Sequence, residues 1–203
     1  MLLMQSLFVF TFSQSFESVT PFGEHLELVR GLSIRYWLSC DACALSFCKR
    51  RYITFTSDNV EKLKKAQSVL KDIKDYAKRA PILICAITKK TYSDNSNYNR
   101  LHFHDLGAAN ENMFLEAFNQ GLIMHEMGGF DVQKAREVFN IPEDFEVGIM
   151  IAIGYQDTHH ILPERLIHKA FTSRQRKPLS EIAFVEELGN GISANIKDDN
   201  QTQ

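Results

Sequence analysis

Two apolar runs of strand length limit what this chain can fold into. The first is Ile82-Leu83-Ile84-Cys85-Ala86-Ile87-Thr88, unbroken by charge, and the second is EVGIMIAIGY, from Glu146 to Tyr155. An alternating strand can leave one face to water, but a continuous apolar run must be covered on both sides. Buried strands of this kind require helices packed against a sheet. The chain's 203 residues, 44% of them hydrophobic, suffice for one ordinary globular domain with a sizeable core.

The segments around these runs fill in the rest. Phe22 to Val29 suggests a short amphipathic helix, with Leu26 and Val29 on one face, whereas residues 36 to 50 follow neither a helical nor a strand period. Arg51 to Thr56, RYITFT, is β-branched and aromatic and predicts a strand. Ser57-Asp58-Asn59 offers N-cap chemistry. Val60, Leu63, Ala66, Leu70, Ile73 and Ala77 then predict one helix ending near Ala80, stopped by Pro81. Thr91 to Arg100 is polar and predicts an exposed, mobile loop. Asp105 is the expected N-cap of a helix running to Asn119 or Gln120, closed by Gly121 in a left-handed C-cap. Leu122 to Glu126 predicts a short strand, and Asp131 caps a helix through Phe139 that Pro142 cannot continue. Beyond Tyr155 the expectations are a short helix from Pro163 to Ala170, a basic turn from Ser173 to Leu179, a last strand from Glu181 to Val185 and a polar, frayed tail from Gly189. Unequal helical blocks between the strands argue against a regular βαβ series and for an α+β sheet packed with helices.

Composition excludes several classes of function. A formal charge of -2 and a pI near 6.4 provide no basic face for nucleic acid. The lysines between Lys62 and Lys90 interleave with Glu61, Asp72 and Asp75, as on a solvated helix face. Four cysteines, Cys40, Cys43, Cys48 and Cys85, are too few and too uneven for a disulfide scaffold and read as reduced thiols. Cys40, Cys43 and Cys48 could supply three zinc ligands, but no second CxxC or HxxxH follows, so no metal is expected. His102 with His104, and His159 with His160, lack helical ligand spacing and read as surface or cap residues. The opening Met1 to Phe12 is apolar without a basic start, and no run reaches the roughly 18 apolar residues of a membrane span. A cytoplasmic protein with no membrane partner is the expectation.

No GxSxG elbow, Walker loop, HExxH or EF-hand loop is present. Three basic or glycine-rich places remain: Ser33-Ile34-Arg35, Gly128-Gly129 and Arg174-Gln175-Arg176. Paired glycines reach backbone conformations closed to other residues and let a flat ligand approach main-chain amides, although such a pair also serves as a plain turn. Arginines match phosphate oxygens with paired donors.

The stretches DLGAANENMFLEAFNQGL, MGGFD, KAREVFNIPEDFEVGIMIAIGY and RQRKPLSEI, in that order and preceded by KRAPILICAITKK, resemble the nitroreductase family of FMN-dependent oxidoreductases. The resemblance covers about Arg51 to Val185. It implies an α+β fold with a central mixed β-sheet flanked by helices, and a homodimer whose C-terminal arm, here starting in Pro178 to Val185, reaches the partner. It divides the chain into a divergent N-terminal extension (1–21), a single domain (22–188) and a polar tail (189–203). It also implies that Gly128 and Gly129 present amides to the N5 and O4 edge of FMN, and that Arg174 and Arg176, with Ser33 and Arg35, hold the phosphate. The implied reaction passes reducing equivalents from NAD(P)H through the flavin to a nitroaromatic, quinone or similar small acceptor, with no side chain needed as acid or base. One departure keeps a second expectation open. Where the family has a Pro-Ser-Ser-x-Asn-x-Gln-Pro-Trp segment lining the flavin, this chain has Ser46-Phe47-Cys48-Lys49-Arg50-Arg51-Tyr52, without the Asn, the Gln or the Pro-Trp. A scaffold that keeps the fold but binds FMN weakly or not at all, with a structural or regulatory role, fits that change.

Overall fold

The two apolar runs lie side by side as antiparallel strands, β3 (Ile82–Lys89) and β5 (Phe145–Gln156), at the centre of a sheet. They belong to a computed structural model that describes residues 16–17, 50–93, 95–156, 173 and 175–192. The chain divides into two compact units, Met1–Ala170 and Phe171–Gln203. In the first unit β2 (Arg50–Thr56) pairs with β3, and β4 (Ile123–Met127) pairs with β5. The two-residue β1 (Phe16–Glu17) joins β5 at Tyr155 and Gln156.

Every pairing among the described strands is antiparallel, which corrects the expectation of a mixed sheet within them. The reason lies in the connections. The excursion after β2 leaves at Thr56 and re-enters at Ile82, its base closed by the Ser57 N–H donating to the Pro81 carbonyl (2.8 Å). At the opposite end of β3, the Lys90 N–H donates to the Asp144 carbonyl (2.9 Å). An excursion that returns to the end it left from reverses the strand direction.

Both faces of the central strands are covered, as their composition requires. Leu83, Cys85, Ile87, Met150 and Ala152 pack with Leu63 and Ala66 of α1 (Val60–Gln67), Ala77 of a 3-10 helix (Asp72–Arg79) and Ala135 of α3 (Val132–Val138). On the other face Ile82, Ile84, Ala86, Ile151 and Ile153 pack with Leu106, Met113 and Ala117 of α2 (His102–Asn119). Cys85 is a free thiol at the centre, and burial pushes its pKa up to about 12. Among the described residues no helix is long and apolar enough to cross a membrane.

A β-bulge reconciles the two faces. Ala86 pairs with Ile149 and Ile87 with Val147, so Gly148 is the extra residue. The slip places Val147 on the first face and Ile149 on the second, although two residues apart they would otherwise share a face. At Gly148 an added Cβ would strike Leu106 Cδ2 of α2 and lie 3.1 Å from the Ala86 carbonyl oxygen. The missing side chain is what lets α2 sit down on the bulge.

Four local expectations change. The helix expected from Val60 to Ala80 stops at Gln67, turns through Ser68–Lys71 and resumes as the 3-10 helix. Its carbonyl and amide groups near Val69 and Lys71 are taken by another segment: the Asp131 N–H donates to the Val69 carbonyl (2.8 Å) and the Lys71 N–H to the Gly129 carbonyl (3.3 Å). Helix α2 starts at His102 rather than after Asp105, because buried Asn99 turns the chain three residues earlier. The Asn99 Oδ1 accepts from the Leu101 N–H (3.1 Å) and its carbonyl from the His102 N–H (3.2 Å). The polar loop before it is exposed at its tip but internally bonded, with Thr91 bridged to Tyr98. In the second unit the strand expected from Glu181 to Val185 is a 3-10 turn (Leu179–Glu181) followed by a single bridge, Phe184 to Gly191. Positive φ at Glu186 (66°) and Gly189 (104°) folds the segment back before a strand can extend. Asp131 and Gly121 behave as read: Asp131 Oδ1 accepts from the Lys134 N–H (2.9 Å), and Gly121 has φ 74°. The helices read at Phe22 to Val29 and Pro163 to Ala170 lie outside the described residues.

Replacing Gly148 by Ala is expected to destabilise the protein by about 1–3 kcal/mol, because Leu106 is buried against it and has little room to move. Urea unfolding of the variant beside the wild type measures this, and an unchanged midpoint would contradict the packing described for the bulge.

Candidate functional site

The paired glycines sit where the β4 ladder ends. Met127 is fully buried and paired with Met150, and Phe130, also buried, bridges to Leu70 on the interruption between α1 and the 3-10 helix. Gly128 and Gly129 span the gap between these anchors. The Gly128 carbonyl accepts from the Phe130 N–H (3.1 Å) and the Gly129 carbonyl from the Lys71 N–H (3.3 Å). Their own N–H groups have no acceptor among the described residues. A second tie holds the segment down, since Lys134 Nζ, on the helix that Asp131 caps, donates to the Ser68 carbonyl (2.7 Å).

The conformational reason expected for these glycines does not hold. Among the described glycines only Gly121 and Gly189 have positive φ, so Gly128 and Gly129 adopt torsions open to other residues. What distinguishes Gly128 is space: it is exposed, and an added Cβ would meet nothing within 4 Å. The turn therefore offers a bare main-chain surface with donors on it. Such a surface suits the acceptor edge of a flat ligand and carries no nucleophile or acid–base group of its own.

A polar contact lies between α2 and the sheet. Tyr52 Oη on β2 donates to Asn110 Oδ1 on α2 (2.9 Å). The carboxyl of Glu126 is raised above the usual glutamate range, chiefly because the protein shields it from water. The carboxamide of Asn110 opposes the shift and the negative charge of Glu111 reinforces it. Sequence reasoning passed over Tyr52, Asn110 and Glu126. The available signal was the inward stripe of α2, His102, Leu106, Asn110, Met113 and Ala117, in which an asparagine occupies a position suited to leucine.

On the opposite face Tyr76 Oη and His125 Nε2 lie 2.9 Å apart, and burial raises the tyrosine pKa to about 12. The contact places two polar side chains together on the face covered by α1, the 3-10 helix and α3. Of the four histidines read as surface or cap residues, His104 is exposed beside Asp105, His102 is buried with its ring against Tyr98 and Phe103, and His159 and His160 lie outside the described residues. It opens α2 on the inward stripe, so packing rather than capping decides its place.

Of the six residues expected at a cofactor site, Gly128 and Gly129 form one turn in the first unit. Arg176 is exposed in the second unit, in the irregular stretch before Pro178. Ser33, Arg35 and Arg174 lie outside the described residues, as do Cys40, Cys43 and Cys48. Among the described residues no three His, Cys, Asp or Glu side chains are grouped to hold a metal ion.

Comparison with known proteins places this arrangement. The model of the nitroreductase family matches residues 47–155, from the start of β2 almost to the end of β5. An uncharacterized 15.4 kDa protein of Mycolicibacterium smegmatis is 30% identical over 117 residues, covering 58% of this chain and 76% of that protein. Among solved structures, an oxidoreductase containing FMN is 26% identical with a TM-score of 0.72, over 89% of this chain and 90% of the other. A nitroreductase family protein of Clostridium difficile 630 shares the fold at 22% identity and a TM-score of 0.59, over 90% and 97% of the two chains. So does a protein described as a nitroreductase in complex with FMN from Desulfovibrio desulfuricans, at 18% identity and a TM-score of 0.56, over 90% and 96%. With the antiparallel sheet, the helix laid across it and the glycine turn at the end of β4 all inside the matched region, the chain belongs to the nitroreductase family.

Proposed function

We propose that this chain is an FMN-dependent oxidoreductase that takes reducing equivalents from NAD(P)H and delivers them to a small acceptor such as a nitroaromatic or a quinone. The observation that carries the reading is the Gly128-Gly129 turn, anchored on both sides, with two N–H groups lacking acceptors among the described residues and open space at Gly128. The FMN contained in a 26% identical oxidoreductase supports it. When bound, FMN supplies the two-electron chemistry, and the protein's share is to bind, orient and tune it. Gly128 and Gly129 would donate to the acceptor edge of the ring, while Arg174 and Arg176, with Ser33 and Arg35, would hold the phosphate. Charge-assisted bonds from guanidinium groups suit that task.

The working form in this reading is a homodimer. Phe103, Leu115 and Phe118 are 51%, 49% and 42% exposed. At 3.6 residues per turn they fall within about a third of the circumference of α2. Gly107 lies inside that arc with open space around it, so a second helix could approach closely. Exposed Leu179, Ile182 and Val185 give the second unit apolar surface suited to an arm on a partner. A second reading, a scaffold with weak or absent FMN binding, draws on the altered stretch Ser46 to Tyr52.

Two measurements decide between them. Purified protein is expected to carry flavin or to take up added FMN, and the Arg174→Ala, Arg176→Ala double variant to bind it at least roughly tenfold more weakly. A colourless protein that ignores FMN would favour the scaffold, and unchanged affinity in the double variant would reject the phosphate assignment. Gly128→Val is the sharper probe. Its torsions and surroundings tolerate a side chain, so the melting temperature should hold within about 4 °C while FMN affinity falls; full affinity in this variant would remove the turn from the site.

A further inference from the structure

We propose that Asn190-Gly191, in the second unit, is a self-modifying site, where the Gly191 nitrogen attacks the Asn190 carboxamide and water completes the conversion of Asn190 to aspartate and isoaspartate. It is the one asparagine in the chain followed directly by glycine. Cyclisation of this kind needs a free amide nitrogen on the next residue, no side chain crowding that nitrogen, and access for water. The fold supplies all three.

The free nitrogen follows from how the segment folds back. Phe184 and Gly191 form an isolated antiparallel bridge whose bonds are carried by their neighbours. The Val185 N–H donates to the Asn190 carbonyl (2.9 Å) and the Ile192 N–H to the Ala183 carbonyl (3.0 Å). The Gly191 N–H is left without an acceptor among the described residues. Packing fixes glycine at this position, since an added Cβ would strike the carbonyl of Ser180 in the 3-10 turn. On the other side stands Gly189, with φ 104° and open space around it, and Asn190 is itself exposed. One contact restrains the reaction: Asn190 Nδ2 donates to the Val185 carbonyl (3.2 Å). Releasing an exposed bond of this kind slows cyclisation roughly fivefold without blocking it.

The steps balance with water alone. A base in solution takes the Gly191 amide proton, and the nitrogen attacks Asn190 Cγ. The Cγ–Nδ2 bond breaks, and Nδ2 takes a proton from water and leaves as ammonia. Water then opens the cyclic imide. Opening between Cγ and the Gly191 nitrogen gives aspartate, and opening between the Asn190 carbonyl carbon and that nitrogen gives isoaspartate, with the main chain routed through Cβ and Cγ. Aspartate replaces the donor to the Val185 carbonyl with an oxygen, and isoaspartate adds an atom to the main chain between the two bonds that flank the bridge. Both products loosen the fold-back.

The test incubates the purified full-length protein in mildly alkaline, ammonia-free buffer and follows its asparagine peptides by mass spectrometry. Asn95 is the internal comparison: it is exposed and followed by Ser96, but the Ser96 N–H is engaged with the Tyr92 carbonyl (3.0 Å). Conversion at Asn190 is expected to be at least roughly tenfold faster than at Asn95, to yield both isomers, and to run within about tenfold of its rate in urea-unfolded protein. A smaller difference between the two sites overturns the proposal. So does aspartate without isoaspartate, which is direct hydrolysis, and so does a folded-state rate more than about tenfold below the unfolded one, which means that the fold protects the site. Aged protein should also exchange the Val185 and Ile192 amides several-fold faster than fresh protein. Asn190→Gln keeps the amide donor on a side chain too long for the five-membered ring, so its aged form should show no such gain, and an equal gain would reject the link between modification and opening.

Discussion

The pairing of β3 with β5 is the constraint from which the rest follows. Neither strand has a face for water, and Ile82, Leu83, Ile151, Ala152 and Ile153 are fully buried. Each large aliphatic side chain hidden this way contributes on the order of 1.5–3 kcal/mol, a gain available only if both faces are covered. One layer is α2; the other is built from α1, the 3-10 helix and α3. The bulge at Gly148 lets one strand serve both layers, and α2 takes its seat from the missing side chain there. A dry centre then forces polar chemistry outward. Tyr52 and Glu126 stand on the outer strands, and the glycine turn begins where β4 leaves the ladder.

That turn explains the least regular part of the fold. Hydrophobic spacing from Val60 to Ala77 is good enough for one continuous helix, and Leu63, Ala66, Leu70 and Ala77 are all buried as the spacing requires. The helix nevertheless breaks, because the backbone at Val69 and Lys71 bonds to Asp131 and Gly129 instead of to its own next turn. A few hydrogen bonds within the segment are exchanged for a few that fix the turn, a near-even trade that tertiary packing of Phe130 against Leu70 can tip. Stability of α1 has been set against definition of the site.

Much of the fold was legible because its signals are local. Two unbroken apolar runs, Asp131 as a cap and Gly121 as a left-handed stop each carry their physics in a few adjacent residues. What sequence could not show was decided across the chain. The break after Gln67 depends on a segment some sixty residues on, and the early start of α2 depends on how Asn99 folds back. The order of β2, β3, β5 and β4 depends on which ends the excursions close. The candidate site was half legible for the same reason. Gly128-Gly129 stands out in any reading, but for the wrong cause, since its torsions are ordinary and its bareness is what counts. Tyr52 and Asn110 are far apart in sequence and meet only when α2 is laid over the sheet.

Asn110 shows how a polar side chain is seated in a core. At that position stability alone favours leucine, as at Leu106, and the carboxamide is tolerated because Tyr52 on β2 donates to its oxygen. The bond ties α2 to an outer strand on the face that Leu106 and Met113 cover. The turn at Gly128 and Gly129 is restrained differently, and it needs restraint, because a displacement of about 1 Å or a modest tilt is enough to spoil a hydrogen bond. The ladder ends at Met127, and beyond it the restraint is main-chain: the bridge from Phe130 to Leu70, the Lys71 N–H on the Gly129 carbonyl and the Asp131 N–H on the Val69 carbonyl. The contacts that break the helix after Gln67 are therefore the ones that hold the turn.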